Sequence, residues 1–235
     1  TPKTGTQVIL LISQDKLKNT FTNQDSAFGG TVDSQSHEII INNLKANIKT
    51  AKVAKNLQIL NDILKELIEE CNEYKIEAVL LSRYQGTFEL IKQIDYTKPK
   101  TIACSYFFDK SDFQTLKKLF RRLRIGIAIN PERFNLKYFK SIAELVNVFY
   151  YDLNIYTNDN IKTFSVNDCK DQILQLKNLQ KPIYIGGGIN PKNAKAIIRS
   201  TQPHGLDISR GLKDADNNLC ENKLNKLLKI LSDAA

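Results

Sequence analysis

Methionine and tryptophan are absent from this chain of 235 residues, histidine occurs twice and cysteine four times. Two histidines, His37 and His204, are too few to build a histidine-based metal centre. Cys71, Cys104, Cys169 and Cys220 are spread without CxxC or zinc-type spacing, which supports neither a disulfide scaffold nor a zinc site and points to free thiols in a reducing compartment. No apolar run approaches the roughly 18 residues of a membrane span. The N-terminal TPKTGTQVILLIS has too short an apolar stretch for a signal peptide, so a soluble, cytoplasmic protein with no membrane partner is expected.

Acidic residues are outnumbered, 25 against 34 basic, for a net charge of +9. The densest basic run is Lys117, Lys118, Arg121, Arg122 and Arg124. It falls opposite Phe113, Leu116, Phe120 and Leu123 on a predicted helix, where charges meet water. With no recognised binding module and no aromatic-basic interleaving on a strand, the sequence argues against nucleic acid. A positive field equally draws a phosphorylated substrate. With 42% hydrophobic and 25% charged residues, the chain has the composition of one globular domain over residues 1–235.

Strand patterns ending in polar or glycine turns fall at Val8 to Ser13, Ala27 to Asp33, Glu77 to Ser82, Thr101 to Tyr106, Ile125 to Asn130, Val146 to Leu153, Ile183 to Gly186 and Gly205 to Ser209. Helical periodicity marks Leu57 to Cys71, Phe113 to Leu123, Phe134 to Leu145, Asn190 to Ser200 and Leu219 to Leu231. Strands alternating with helices pair in parallel. Eight such units predict an α/β fold, a single (β/α)8 TIM barrel, with an irregular N-terminal third whose first crossover is cramped and whose second, Ser34 to Tyr74, is long. A doubly wound open sheet is the alternative architecture. In a barrel the active site lies at the C-terminal ends of the strands, and a phosphate site is often built by the last two.

The segment from Pro182 to Lys213 reads as strand, glycine turn, capped helix, strand and second glycine turn. Gly186, Gly187 and Gly188 let backbone amides approach an anion, Asn190 is placed to cap the next helix, and Pro191 fits its first position. The helix N-terminus adds a dipole term of about 0.3–1 kcal/mol toward the same anion. Ser209, Arg210 and Gly211 supply a hydroxyl, a guanidinium and another close-approach glycine, so the two turns are placed to grip one phosphate.

GGGINPKNAKAI followed by QPHGLDISRGLK resembles the last two βα units of phosphoribosylanthranilate isomerase, an enzyme of tryptophan biosynthesis. A looser similarity runs back to Val146, where VFYYDLN followed by IKTFS is similar to that family's sixth strand and the loop after it. The resemblance implies an Amadori isomerisation of N-(5′-phosphoribosyl)anthranilate without metal or organic cofactor. It implies Asp152 as general acid and fits phosphate contacts from Gly187, Gly188, Asn190, Ser209, Arg210 and Gly211; Asp207, in a strand beside the phosphate turn, is placed to line the substrate. The family's base is a cysteine ending the first strand, and QVILLISQD has none; Ser13 is too weak a base. Cys104, Asp33 and His37 are the remaining candidates. The arginine expected after the second strand is missing from GTVDSQSHEII, VLLSRYQGT departs from the family's glutamine-leucine-histidine-glycine turn, and the loop Asn154 to Asn160 lacks the family's glycines.

RIGIAINPERF, VFYYDLN and PIYIGGGINPKNAK also resemble ribulose-phosphate 3-epimerase, whose metal needs histidines and an aspartate where Gly186 stands. That metal site cannot be assembled from these residues. Three functions fit the reading. The first is an isomerase acting as a monomer or homodimer on a phosphorylated sugar. The second is a catalytically inactive phosphosugar-binding barrel serving as a regulatory or interaction protein. The third is a scaffold using its basic helices against an acidic partner.

Overall fold

The computed structural model describes residues 9–13, 57–73, 77–82, 86–105, 108–156, 161–216 and 218–233. They fall into two compact units, one up to Arg124 and the other from Ile125 onward.

In the first unit, strands β1 (Ile9–Ser13), β2 (Glu77–Ser82) and β3 (Thr101–Ser105) run parallel in that order. Parallel neighbours need a crossover, and α1 (Leu57–Glu73) leads into β2 while α2 (Thr87–Thr97) joins β2 to β3. Val79, Leu80, Ile102, Ala103 and Cys104 are fully buried, the near-continuous apolar run expected of strands covered on both faces. The predicted stripe on α1 buries Leu64, Leu67, Ile68 and Cys71. On α2 the buried face carries Gln93 and Thr97 beside Leu90 and Ile94; Gln93 donates to Asn61 Oδ1 at 3.2 Å and Thr97 Oγ1 to the Gln93 carbonyl at 2.7 Å. β1 registers directly on β2, Ile9 opposite Glu77. The predicted strand Ala27 to Asp33 lies outside the described residues.

Helix α3 (Lys110–Leu119) starts in a capping box, with Asp109 accepting from the Ser111 and Asp112 amides at 2.8 and 3.0 Å. It ends four residues earlier than the periodicity predicts, because Phe120 leaves helical geometry at φ −123° and ψ 74°. The basic run is thereby divided: Lys117 and Lys118 stay on the helix, Arg121 and Arg122 sit in the turn after it, and Arg124 pairs with Glu77 at 2.7 Å.

In the second unit, β4 (Arg124–Ile129), β5 (Val148–Asp152), β8 (Ile183–Gly186) and β9 (Gly205–Asp207) are parallel neighbours in that order. Their crossovers are α4 (Leu136–Ile142), α5 (Val166–Lys177) and α6 (Ala194–Thr201), and α7 (Glu221–Ser232) follows the last strand. Phe139 of α4 meets Phe149 of β5 edge-on at 5.9 Å, and Ile173, Leu176, Ile183, Ile185 and Ile197 are buried as well. Between β5 and α5 a short antiparallel pair is inserted, β6 (Asn154–Tyr156) and β7 (Ile161–Thr163). Among the described residues no helix is long and apolar enough to cross a membrane.

Candidate active site

Three strand ends of the second unit form one row, with Asp152 of β5 in register with Gly186 of β8, and Gly186 in register with Asp207 of β9. Residues in register on neighbouring strands face the same side of a sheet. The middle of the row has no side chain. A Cβ on Gly186 would stand 3.2 Å from both Cβ and Oδ2 of Asp207. On the other flank, Asp152 Oδ1 accepts from the Asn154 amide at 2.9 Å and lies against Gly187. Both aspartates are partly exposed, so a ligand over the strand ends can reach them.

The turn after β8 needs its glycines for conformation and for space. Gly187 at φ 91° and Gly188 at φ 68° occupy a region that L side chains rarely adopt. A Cβ on Gly187 would also fall 2.6 and 2.7 Å from the backbone nitrogens of Asn154 and Leu153. Two asparagines brace this turn: the Gly188 carbonyl accepts from Asn190 Nδ2 at 3.2 Å and Asn193 Nδ2 at 3.0 Å, and Asn193 Oδ1 accepts from the Asn190 amide at 2.8 Å. Asn190 Oδ1 accepts from the Lys192 amide at 2.9 Å, so it caps a single turn. Helix α6 starts at Ala194, not at Asn190 as the asparagine–proline pair predicts, and its N-cap is Asn193, whose side chain makes no cap bond to the helix. Asn193 is committed to the glycine turn instead.

The second turn sits on the first. Ser209 leads into a single 3₁₀ turn, Arg210–Leu212, and a Cβ on Gly211 would overlap the carbonyl oxygen of Ile189 and lie 2.9 Å from Asn190 Cβ. The β6–β7 pair closes another side. Thr163 Oγ1 donates to Asn154 Oδ1 at 2.8 Å, and Thr163 Cγ2 lies 3.4 Å from where a Cβ on Gly188 would be. Gly187, Gly188, Asn190, Ser209, Arg210 and Gly211 are thus neighbours around two stacked turns, beside the Asp152–Gly186–Asp207 row. Asn154 and Thr163 were not singled out by the sequence; the signal was a pair of short segments with strand-favouring residues, Ile155 and Tyr156, then Ile161 and Thr163, flanking a polar stretch. Asn193 stood inside the motif without being read as a brace.

The remaining candidates lie elsewhere. Cys104 is fully buried on β3 in the first unit, and burial, then the Asp112 charge, pushes its thiol upward, which holds it protonated at neutral pH. Asp33 and His37 lie outside the described residues. His204 is exposed at the N-terminal ends of β8 and β9, its Nδ1 accepting from the Ile183 amide at 3.2 Å, at the opposite end of these strands from the aspartate row. Among the described residues, no three His, Cys, Asp or Glu side chains are grouped as metal ligands.

No family model matches the sequence. The curated N-(5′-phosphoribosyl)anthranilate isomerase 2 of Methanosarcina mazei is 26% identical over 159 residues, covering 66% of this chain and 69% of that protein. The solved N-(5′-phosphoribosyl)anthranilate isomerase of Pyrococcus furiosus superposes with a TM-score of 0.54 at 19% identity, over 74% of this chain and 80% of that one. The 3-keto-L-gulonate-6-phosphate decarboxylase of Vibrio cholerae gives a TM-score of 0.57 at 16% identity, over 74% and 80%. The chain is thus similar in sequence to phosphoribosylanthranilate isomerases and in fold to (β/α)8 barrels.

Proposed function

We propose that the protein is a phosphoribosylanthranilate isomerase, converting N-(5′-phosphoribosyl)anthranilate to the 1-amino-2-ketose of tryptophan biosynthesis as a single-domain enzyme. The observation that carries this reading is a strand-end carboxylate, Asp152, beside two stacked glycine turns, in a chain similar to a curated isomerase over two thirds of its length. Fold alone would leave the reaction open, since the decarboxylase superposes as well as the isomerase does. The sequence similarity selects between them. No observation favours a catalytically inactive phosphosugar binder.

The backbone amides of the Gly187–Gly188 turn and of the turn through Gly211 receive the 5′-phosphate, with the Arg210 guanidinium and Ser209 hydroxyl beside it. Asn190, its side chain engaged with the Gly188 carbonyl and the Lys192 amide, acts by shaping the turn. This anchor places the sugar over the row of strand ends. Asp152 in its acid form protonates the furanose ring oxygen, the C1′–O bond breaks, and the nitrogen lone pair forms a Schiff base. Removal of the C2′ proton then gives an enol that becomes the ketone. Each step moves a proton between the substrate and a side chain, so the reaction as written needs no cofactor.

A fluorescence assay of phosphoribosylanthranilate consumption by the purified protein tests this function. Turnover is expected, and Asp152→Asn should lower kcat by 10²–10⁴-fold, the usual contribution of a positioned acid. The variant should still bind the product analogue reduced 1-(o-carboxyphenylamino)-1-deoxyribulose 5-phosphate, which a related isomerase holds in its solved structure. A wild-type protein that binds the analogue without consuming substrate would overturn the assignment.

A further inference from the structure

We propose that Asp207 is the general base of this isomerase, taking the C2′ proton in place of the cysteine that ends the first strand in the resembled family. The inference rests on the isomerase reading above and names the group that reading leaves open.

Four parallel strands end beside one another in this unit, β4 at Ile129, β5 at Asp152, β8 at Gly186 and β9 at Asp207. Their terminal residues therefore include two carboxylates. Asp152 and Asp207 stand in one register row, two strand spacings or about 9–10 Å apart at Cα, with Gly186 between them. Any other residue at position 186 would put a side chain into that gap; glycine leaves it open. Asp207 Oδ2 leans over Gly186 from one flank, 3.2 Å from the vacant Cβ position, and Asp152 Oδ1 lies against Gly187 from the other. The two acids thus approach one dipeptide from opposite sides, next to the turns that anchor the phosphate. A substrate held there has its ring oxygen and its C2′ hydrogen within a space bounded by a carboxyl group on each flank.

The protons balance over one cycle. Asp152 gives its proton to the ring oxygen as the Schiff base forms. The ionised Asp207 takes the C2′ proton, the C–H electron pair becomes the C1′–C2′ double bond, and the C=N pair returns to nitrogen. Asp207 then returns its proton to C1′ while the enol oxygen gives its own to Asp152. The enol becomes the ketone and both carboxyl groups recover their starting states. A carboxylate suffices as base because the adjacent Schiff base acidifies the C2′ hydrogen.

Asp207→Asn tests the role, assayed with ordinary substrate and with substrate deuterated at C2′. We expect kcat to fall by on the order of 10²–10⁴-fold, analogue affinity to stay within about threefold of wild type, and the deuterium isotope effect on kcat to rise above its wild-type value because C–H cleavage becomes limiting. Asp207→Ala should regain part of its activity with added formate. A positioning role would lower kcat without enlarging the isotope effect and without formate rescue, and would overturn the proposal. Full activity in Asp207→Asn, with Asp152→Asn inactive, would overturn it while leaving the isomerase reading intact. A wild-type protein with no turnover would overturn both.

Discussion

Gly187, Gly188 and Gly211 differ in what they cost to replace, and the order follows from their surroundings. Gly188→Ala meets ordinary contacts at 3.4 and 3.6 Å and suffers mainly the left-handed backbone, about 1–2 kcal/mol. Gly187→Ala adds backbone nitrogens at 2.6 and 2.7 Å, and Gly211→Ala drives a methyl into the Ile189 carbonyl. Both should cost more than Gly188→Ala in urea midpoint and should abolish analogue binding, since Gly187→Ala pushes the first turn off the Leu153–Asn154 backbone and Gly211→Ala pushes the second turn off the first. Equal losses for all three would show that the turns do not stack as described. These glycines were legible in the sequence because a strand followed by glycines and an asparagine–proline pair constrains the backbone locally. The pairing of Asp152 with Asp207 was not, because 55 residues separate them and only strand register sets them in one row. Asn190 and Asn193 are equally good caps by residue type. What separates them is the use of their oxygens: Asn193 Oδ1 accepts from the Asn190 amide, while Asn190 Oδ1 accepts from the Lys192 amide and caps the single turn.

The β6–β7 pair is the element that the sequence hid and that the site depends on. Three-residue strands, one of them wholly exposed, carry too little alternation to register as strands, and Asn154 to Asn160 reads in the sequence as a loop. Thr163→Val keeps the shape of the side chain and removes the donor to the buried Asn154 Oδ1. It should cost about 1 kcal/mol and weaken analogue binding by loosening the pair over Gly188, while Lys162→Ala, at an exposed bridge to Glu132, should be nearly neutral. Chemical denaturation of the two variants checks the contrast. Helices α2 and α5 were likewise faint. The buried face of α2 is half polar, and α5 buries only Cys169, Ile173 and Leu176 amid charged residues, so neither shows a broad apolar stripe. The long stripe of α1 and the strand runs around Val79, Ile127 and Phe149 were plain, because burial on both faces writes itself as uninterrupted hydrophobicity.

Across the whole molecule, the buried thiols tie stability to alkaline pH. Burial, reinforced by Glu70, pushes Cys71 from 9.0 up to about 12, and burial raises Cys104 and Cys169 as well. These groups stay protonated when folded and ionise when unfolded. Their contribution is therefore complete below the ordinary thiol range and is lost as pH climbs from it toward the folded values. Between those values Cys71 alone steepens the decline by up to about 1.4 kcal/mol per pH unit. Urea unfolding at pH 8 and pH 10 should show a marked loss, and Cys71→Ala should lessen that pH dependence; equal stability at both pH values would contradict the burial of these thiols. For function, the strand-end row and the stacked turns are expected to hold one substrate together. A crystal structure with the reduced analogue tests it directly. The phosphate is expected on the backbone amides of the Gly187–Gly188 and Gly211 turns, with the sugar carbons above Gly186 between Asp152 and Asp207. A phosphate bound elsewhere, or a sugar turned away from both aspartates, would contradict it.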